Sequence, residues 1–253
     1  MNEIVAINKP YGLTPLQAIN AFKYKFPSYA LEKISYAGRL DPMANGLLIL
    51  LVGDQNKKRN EFESLEKSYE FEILLGISTD TYDPLGLITA TNPLREDTAS
   101  QCIKILGSFI GQREQSYPPF SSMHVAGKPL YFWAREGKLA DIKIPTKKIT
   151  ISSLEIASTS YLSSIDLVKK IIERVSNIKG DFRQPEIVKS WEDLTTSTQL
   201  FPIVSCRATV SSGTYIRSLA YEIGERLGVG AIAYSITRTQ VGKWQLKDAI
   251  EIY

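Results

Sequence analysis

The sequence predicts an α+β fold, and three observations carry that expectation. From residue 67 to 75 the chain alternates, with Tyr69, Phe71, Ile73 and Leu75 on one side and Glu70 and Glu72 on the other, the period of a half-buried strand. Residues 14 to 26 and 214 to 227 instead repeat apolar side chains every three or four positions, as an amphipathic helix does. Further strand-like stretches at 148 to 159 and 202 to 210 are separated by a helical region. At 253 residues, 43% apolar and 23% charged, the chain can bury a core and is ordinary in composition for a globular protein.

In chain order, residues 4 to 7 read as a short strand. Thr14-Pro15-Leu16-Gln17 then has the layout of a capping box with proline at the first helical position. Leu16, Ile19, Phe22 and Phe26 continue as one stripe and are expected in the core. The segment from Gly38 to Gly46 is a punctuated loop, and the apolar run 47 to 52 behind it is short enough for an interior strand. Residues 54 to 65 read as a more polar helix. After the strand at 67, the Asp, Pro and Gly content of 79 to 86 marks a loop, and 87 to 91 can pair back.

Cys102, Ile103, Leu106, Phe109 and Ile110 mark a helix ending near Gly111, and Tyr117-Pro118-Pro119-Phe120 forces an extended connection. A short strand and a short helix follow around 130 to 135. Residues 161 to about 195 take helical spacing through Leu167, Ile171, Ile172 and Val175, interrupted near Gly180. The last helix runs through Ile216, Leu219, Ala220, Ile223 and Leu227 to Gly228-Val229-Gly230. With no internal repeat and no linker, residues 1–253 are expected to form one domain, with 161–200 as a helical insertion into a mixed sheet.

The chemistry starts at Gly38-Arg39-Leu40-Asp41-Pro42. Pro42 biases Asp41 away from helix, and a carboxylate on such a loop either faces a cleft or caps its own turn. Arg217 is the second anomaly, because it falls in the first turn of a helix, where the dipole disfavours a cation. Either it reaches out into water or a cleft carboxylate holds it, and Asp41 is the candidate partner.

Absences narrow the field. There is no phosphate-cradling G-x-x-x-x-G-K-[ST] and no G-x-G-x-x-G after a strand. One histidine, His124, and the separated Cys102 and Cys206 do not assemble a zinc cluster or a Ser-His-Asp triad; both thiols are expected reduced. No stretch approaches the roughly 18 apolar residues of a membrane span, and the N-terminus lacks a secretory pattern, so a cytoplasmic protein is expected. Net charge is +3, from 30 basic and 27 acidic residues. The clusters Lys57-Lys58-Arg59, Lys147-Lys148 and Lys169-Lys170 do not by themselves select a partner.

A series of segments spread along the chain, in order, resembles the TruB family of tRNA pseudouridine synthases. Asn8-Lys9-Pro10-Tyr11-Gly12-Leu13-Thr14 is similar to its K-P-x-G-x-[ST] segment, and Gly38-Arg39-Leu40-Asp41-Pro42 with Gly46 to its G-x-L-D-P-x-A-x-G loop. Lys67-Ser68-Tyr69 resembles its K-x-Y strand start, and Thr79-Asp80-Thr81-Tyr82-Asp83 with Gly86 its T-D-T-x-D-x-x-G. Gly127-Lys128-Pro129-Leu130-Tyr131 through Ala134-Arg135-Glu136-Gly137 resembles G-K-x-L-Y-x-x-A-R-x-G. Gly213-Thr214-Tyr215-Ile216-Arg217 and Leu227-Gly228-Val229-Gly230-Ala231 complete the series.

The resemblance implies a mixed, mainly antiparallel sheet of the pseudouridine synthase type with flanking helices and a central cleft. It implies isomerisation of uridine 55 in the tRNA T-loop, after base flipping, by a monomer that needs no metal or organic cofactor. By similarity Asp41 is the essential residue, either attacking ribose C1′ or removing the C2′ proton. Tyr69 stacks on the extruded base or moves a proton, and Arg217 pairs with Asp41. Tyr215 and Ile236 line the uracil pocket, while Tyr36, Asp83, Arg238 and Lys9 are substrate contacts. The chain departs from the pattern at Tyr36-Ala37-Gly38, where the family has His-x-Gly, at His124 in place of a lysine, and at Pro15 in place of a serine. No C-terminal PUA domain is expected, and acceptor-stem affinity is then expected to be weaker or supplied by 161–200. Two alternatives stay open: a ribosomal-RNA pseudouridine synthase, and an RNA-binding or RNA-folding module with a vestigial site.

Overall fold

The computed structural model describes residues 1–196 and 199–253. Strand β1 (Ile4–Lys9) turns into helix α1 (Pro15–Lys25), which opens with the anticipated capping box. Gln17 N donates to Thr14 Oγ1 at 3.2 Å and Thr14 N to Gln17 Oε1 at 2.8 Å. Helix α1 buries Ala18, Ile19 and Phe22 against the sheet, but Leu16 is 63% exposed. Leu16 lies about a third of a turn around the helix from Phe22, outside the arc that touches the strands. Strand β2 (Ile34–Ala37) and β3 (Ala44–Val52) flank the Asp41 loop, and α2 (Arg59–Glu63) leads to β4 (Lys67–Leu75).

Next come β5 (Ile77–Thr79) and β6 (Ile88–Thr91), paired antiparallel across the loop from 80 to 87, then α3 (Thr98–Leu106) and β7 (Gly111–Ser116). Helix α3 buries Thr98, Ala99, Cys102 and Leu106, which leaves Ile103 and Ile110 of the expected stripe exposed. Two short strands, β8 (His124–Val125) and β9 (Lys128–Pro129), precede α4 (Leu130–Arg135). Strand β10 (Thr146–Ser163) runs on past the expected end, because its pairing with the next strand continues to Ser163 opposite Leu200. Helical structure therefore begins only at Ser164, with α5 (Ser164–Ser176) and α6 (Gln184–Glu192). The chain closes with β11 (Leu200–Val210), α7 (Ile216–Leu227), β12 (Ala231–Val241), β13 (Trp244–Gln245) and β14 (Ile250–Glu251).

A ten-stranded sheet has the order β14-β1-β3-β12-β4-β11-β10-β7, with β2 added to β3 and β13 to β12. The pairs β1/β14 and β3/β12 are parallel, and the other pairs of this sheet are antiparallel. Tyr69, Phe71, Ile73 and Leu75 of β4 point to a core closed by α3 and α7. On the opposite face Leu74, Ile203 and Ile232 meet Leu167, Ile171 and Trp191 of α5 and α6. Both cysteines are buried free thiols in the first of these cores. One edge of β3 changes partner along its length: β12 pairs with Ala44 to Gly46 and β2 with Ile49 to Val52. The Asp41 loop leaves the sheet at this fork, between β2 and β3.

Candidate active site

The loop between β2 and β3 is held at both ends of its exposed tip. Leu40 is buried in the core under α3 and α7, and Met43 in the core under α5 and α6. Asp41 lies between them, with its backbone carbonyl accepting from Ala44 N at 3.0 Å. Its side chain is 38% exposed at a cleft of about 660 Å³. Gly46 has φ 104° and lies so close to β12 that a Cβ there would stand 2.4 Å from Arg238 O. Only glycine allows β3 and β12 to meet beneath the loop.

Arg217 enters from the first turn of α7, and its side chain is 4% exposed. Its Nε donates to Asp41 Oδ2 at 2.8 Å, Nη1 to Thr81 O at 2.7 Å and Nη2 to Phe120 O at 3.2 Å. Asp83 Oδ2 stands 3.7 Å from the same Nε. These acceptors answer the anomaly of a cation at a helix N-terminus, since three separate segments converge on one guanidinium. Burial acts to lower the Arg217 pKa, but Asp41 and Asp83 outweigh it and leave the group above its ordinary value.

Asp83 is itself buried. Its Oδ1 accepts from Thr81 Oγ1 at 2.7 Å and from Leu85 N at 2.9 Å, and burial raises its pKa to about 6 against the pull of Arg217. It is thus a second carboxylate of the Arg217 cluster rather than an exposed group. Tyr69, Tyr215 and Ile236 line the cleft. Tyr215 is the residue immediately before α7, and burial followed by the charge of Asp41 pushes its phenol up to about 12. Its backbone is pinned on both sides: Tyr215 N donates to Gln115 Oε1 at 2.8 Å, and Gln115 Nε2 donates to Tyr215 O at 3.2 Å.

Lys9 and Tyr36 lie outside this cleft, and Arg238 is buried in its wall. Lys9 is fully buried and donates to Pro10 O at 2.9 Å and Leu13 O at 2.7 Å, and burial lowers its pKa to about 7. Tyr36 packs at the margin of the α1 core, with the Arg59 guanidinium 5.5 Å from its ring centre, and does not line the cleft. Arg238 reaches the cleft wall but is 1% exposed. Its guanidinium donates to Leu47 O at 2.7 Å, Arg39 O at 3.1 Å and Gly38 O at 3.4 Å, so it clamps the Asp41 loop.

The cleft also gathers cations that the surface clusters hid. Arg39, Arg59, Lys67 and Lys147 join Arg217 and Arg238 on its wall, against Asp41 and Glu63. Lys67 donates to Glu63 O at 2.9 Å, and burial, then Arg238, lowers its pKa to about 8. Positive walls around Asp41, with Glu63 paired to Arg59, suit an anionic polymer that presents a sugar to Asp41.

A mixed sheet with a carboxylate on a loop between its strands, paired to a buried arginine in a basic cleft, is the arrangement of an enzyme. Residues 27–180 match the family model described as TruB family pseudouridylate synthase, N-terminal domain, and the chain belongs to that family. It is 34% identical over 236 residues to a tRNA pseudouridine synthase B of Nitratidesulfovibrio vulgaris strain Hildenborough, covering 93% of this chain and 62% of that protein. A protein of the same name from Aquifex aeolicus is 29% identical, covering 100% of this chain and 72% of its own length. One from Bacteroides thetaiotaomicron is 30% identical, covering 98% and 89%. The chain therefore spans less than two thirds of the first of these relatives. A solved structure, a Cbf5-Nop10-Gar1 complex, superposes with a TM-score of 0.60 at 20% identity, over 98% of this chain and 51% of that one. The sheet thus has the pseudouridine synthase fold.

Proposed function

We propose that the chain is a tRNA pseudouridine synthase that isomerises uridine 55 of the T-loop, acting as a monomer in the cytoplasm without a metal or organic cofactor. The observation that carries this reading is the Asp41–Arg217 pair at the wall of a basic cleft, in a chain of the TruB family. Breaking a glycosidic bond leaves an electron-poor sugar carbon, and a carboxylate beside it is the natural catalyst. Arg217 takes Oδ2 of Asp41 and leaves the other oxygen for the ribose, either at C1′ or at the C2′ proton. The extruded uracil lies against Tyr69, with Tyr215 and Ile236 closing its pocket. The cations of the cleft wall hold the flanking phosphates.

The test is pseudouridine formation on unmodified tRNA transcripts by wild type and Asp41→Asn, with the modified nucleotide mapped. Pseudouridine at position 55 from wild type alone supports the reading. Modification of ribosomal RNA instead, or binding of tRNA with no modification by wild type, rejects it.

A further inference from the structure

We propose that Arg183 is a positioning residue for the Asp41–Arg217 pair, acting through Asp80 and Phe120 on the two loops whose carbonyls hold Arg217. The inference rests on the catalytic reading of Asp41 given above. Arg183 precedes α6 and belongs to the helical region between β10 and β11, far in sequence from the motifs that define the family.

Its guanidinium grips Asp80 at two points, Nη1 to Oδ2 at 2.8 Å and Nη2 to Oδ1 at 3.3 Å, and lies 4.6 Å from the centre of the Phe120 ring. Asp80 is bonded directly to Thr81, whose carbonyl accepts from Arg217 Nη1. Phe120 itself supplies the carbonyl that accepts from Nη2. One arginine thus holds the residue next to one support of the other and lies on the ring of the second. A bidentate carboxylate fixes direction as well as distance, which a single contact does not.

Two further contacts from α6 reach this loop and the first residue of β6 after it. Trp191 Nε1 donates to Gly86 O at 3.2 Å, and Ser190 Oγ accepts from Ile88 N at 3.0 Å. The loop needs such bracing, because Tyr82 has φ 64°, the left-handed region that residues with a Cβ avoid. Arg183 has the same φ of 64°, so both ends of the brace hold strained backbone. Helix α6 is a splint laid along the loop and the start of β6, and Arg183, at its N-terminal end, is the contact that reaches Asp80 beside Thr81. When the splint slackens, Thr81 O and Phe120 O drift, Arg217 follows, and the Asp41 carboxylate loses its aim.

The experiment compares wild type with Arg183→Ala, Arg183→Lys, Asp80→Asn and the Arg183→Ala/Asp80→Asn double variant. Single-turnover pseudouridine formation and tRNA binding are measured, and the ¹H–¹⁵N signal of Arg217 Nε is followed by NMR. Arg183→Ala and Asp80→Asn are expected to slow the saturated rate by about 10- to 100-fold while tRNA affinity stays within about twofold. The double variant should fall no lower than the slower single one, Arg183→Lys should lie between, and the Arg217 signal should broaden in every slow variant. If Arg183→Ala does not fold, Asp80→Asn and Arg183→Lys decide by the same readouts. Wild-type rate and Arg217 signal in folded Asp80→Asn overturn the proposal, as do losses that multiply in the double variant. Weaker tRNA binding at an unchanged saturated rate also overturns it and makes Arg183 an RNA contact. Should wild type modify no RNA, the enzymatic reading fails, and the Arg217 signal still decides whether Arg183 positions that side chain.

Discussion

Arg217 Nε lies 2.8 Å from Asp41 Oδ2 although 176 positions separate the two residues, and the guanidinium is buried while the carboxylate is open to the cleft. The asymmetry sets different outcomes for the two partners. Arg217→Ala removes the shared donor of Asp41, Thr81 O and Phe120 O and leaves Asp83 buried without its cation. It should cost roughly 3 to 5 kcal/mol in urea unfolding. Asp41→Asn keeps the shape and should cost only about 1 kcal/mol, because its site is half open to water. It should nevertheless lower the rate by at least about a thousandfold. Equal destabilisation by the two would contradict the burial pattern.

Arg238 was expected to contact RNA, but its three carbonyl acceptors make it a clamp on the Asp41 loop. Arg238→Ala should destabilise by about 2 to 4 kcal/mol, since it strands buried carbonyls. Amide exchange at Leu40 and Asp41 should speed up in the same variant. Slower exchange there, or a loss of tRNA affinity with stability intact, would restore the RNA-contact role.

Lys9 gives a pH-dependent stability whose sign is fixed by its burial. Its folded pKa is about 7 against an ordinary 10.5, so between these values the unfolded chain holds a proton that the folded chain has released. Stability therefore rises with pH across that window, and the burial cost of the cation is fully felt below pH 7. Relative to Lys9→Met, wild type should gain up to about 1.4 kcal/mol per pH unit from pH 7 to 10. Parallel stability curves for the two proteins would refute it.

Gly46→Ala places a methyl 2.4 Å from Arg238 O on a backbone with φ 104°. The expected loss is on the order of 3 kcal/mol, with strain and crowding adding. Thermal unfolding of Gly46→Ala beside Gly107→Ala is the comparison. A Cβ at Gly107 meets nothing within 4 Å, so that variant should be nearly silent.

Much of this site was legible because its residues break local rules. An arginine in a helix's first turn and an aspartate between two glycines each asked for a partner, and the fold supplies it. The supports of Arg217 were not legible, since Thr81 and Phe120 contribute backbone carbonyls, which any residue carries. The main-chain partners of Lys9 and Arg238 were hidden for a related reason: cations suggest phosphates, yet here backbone carbonyls accept from them. Strand β12 escaped because its first residues, Ala231 to Tyr234, are buried on both faces and show no alternation. Strand β2, with four residues, is too short for any period to emerge.

The anchoring of Leu40 in one interior and Met43 in the other suspends the acid like a deck between two piers. Tilting either pier moves Asp41, so drift among hidden side chains is constrained even where no nucleotide reaches. Changes that enlarge one interior are tolerated best when the other shifts in step, and such coupled pairs would link positions that share no contact.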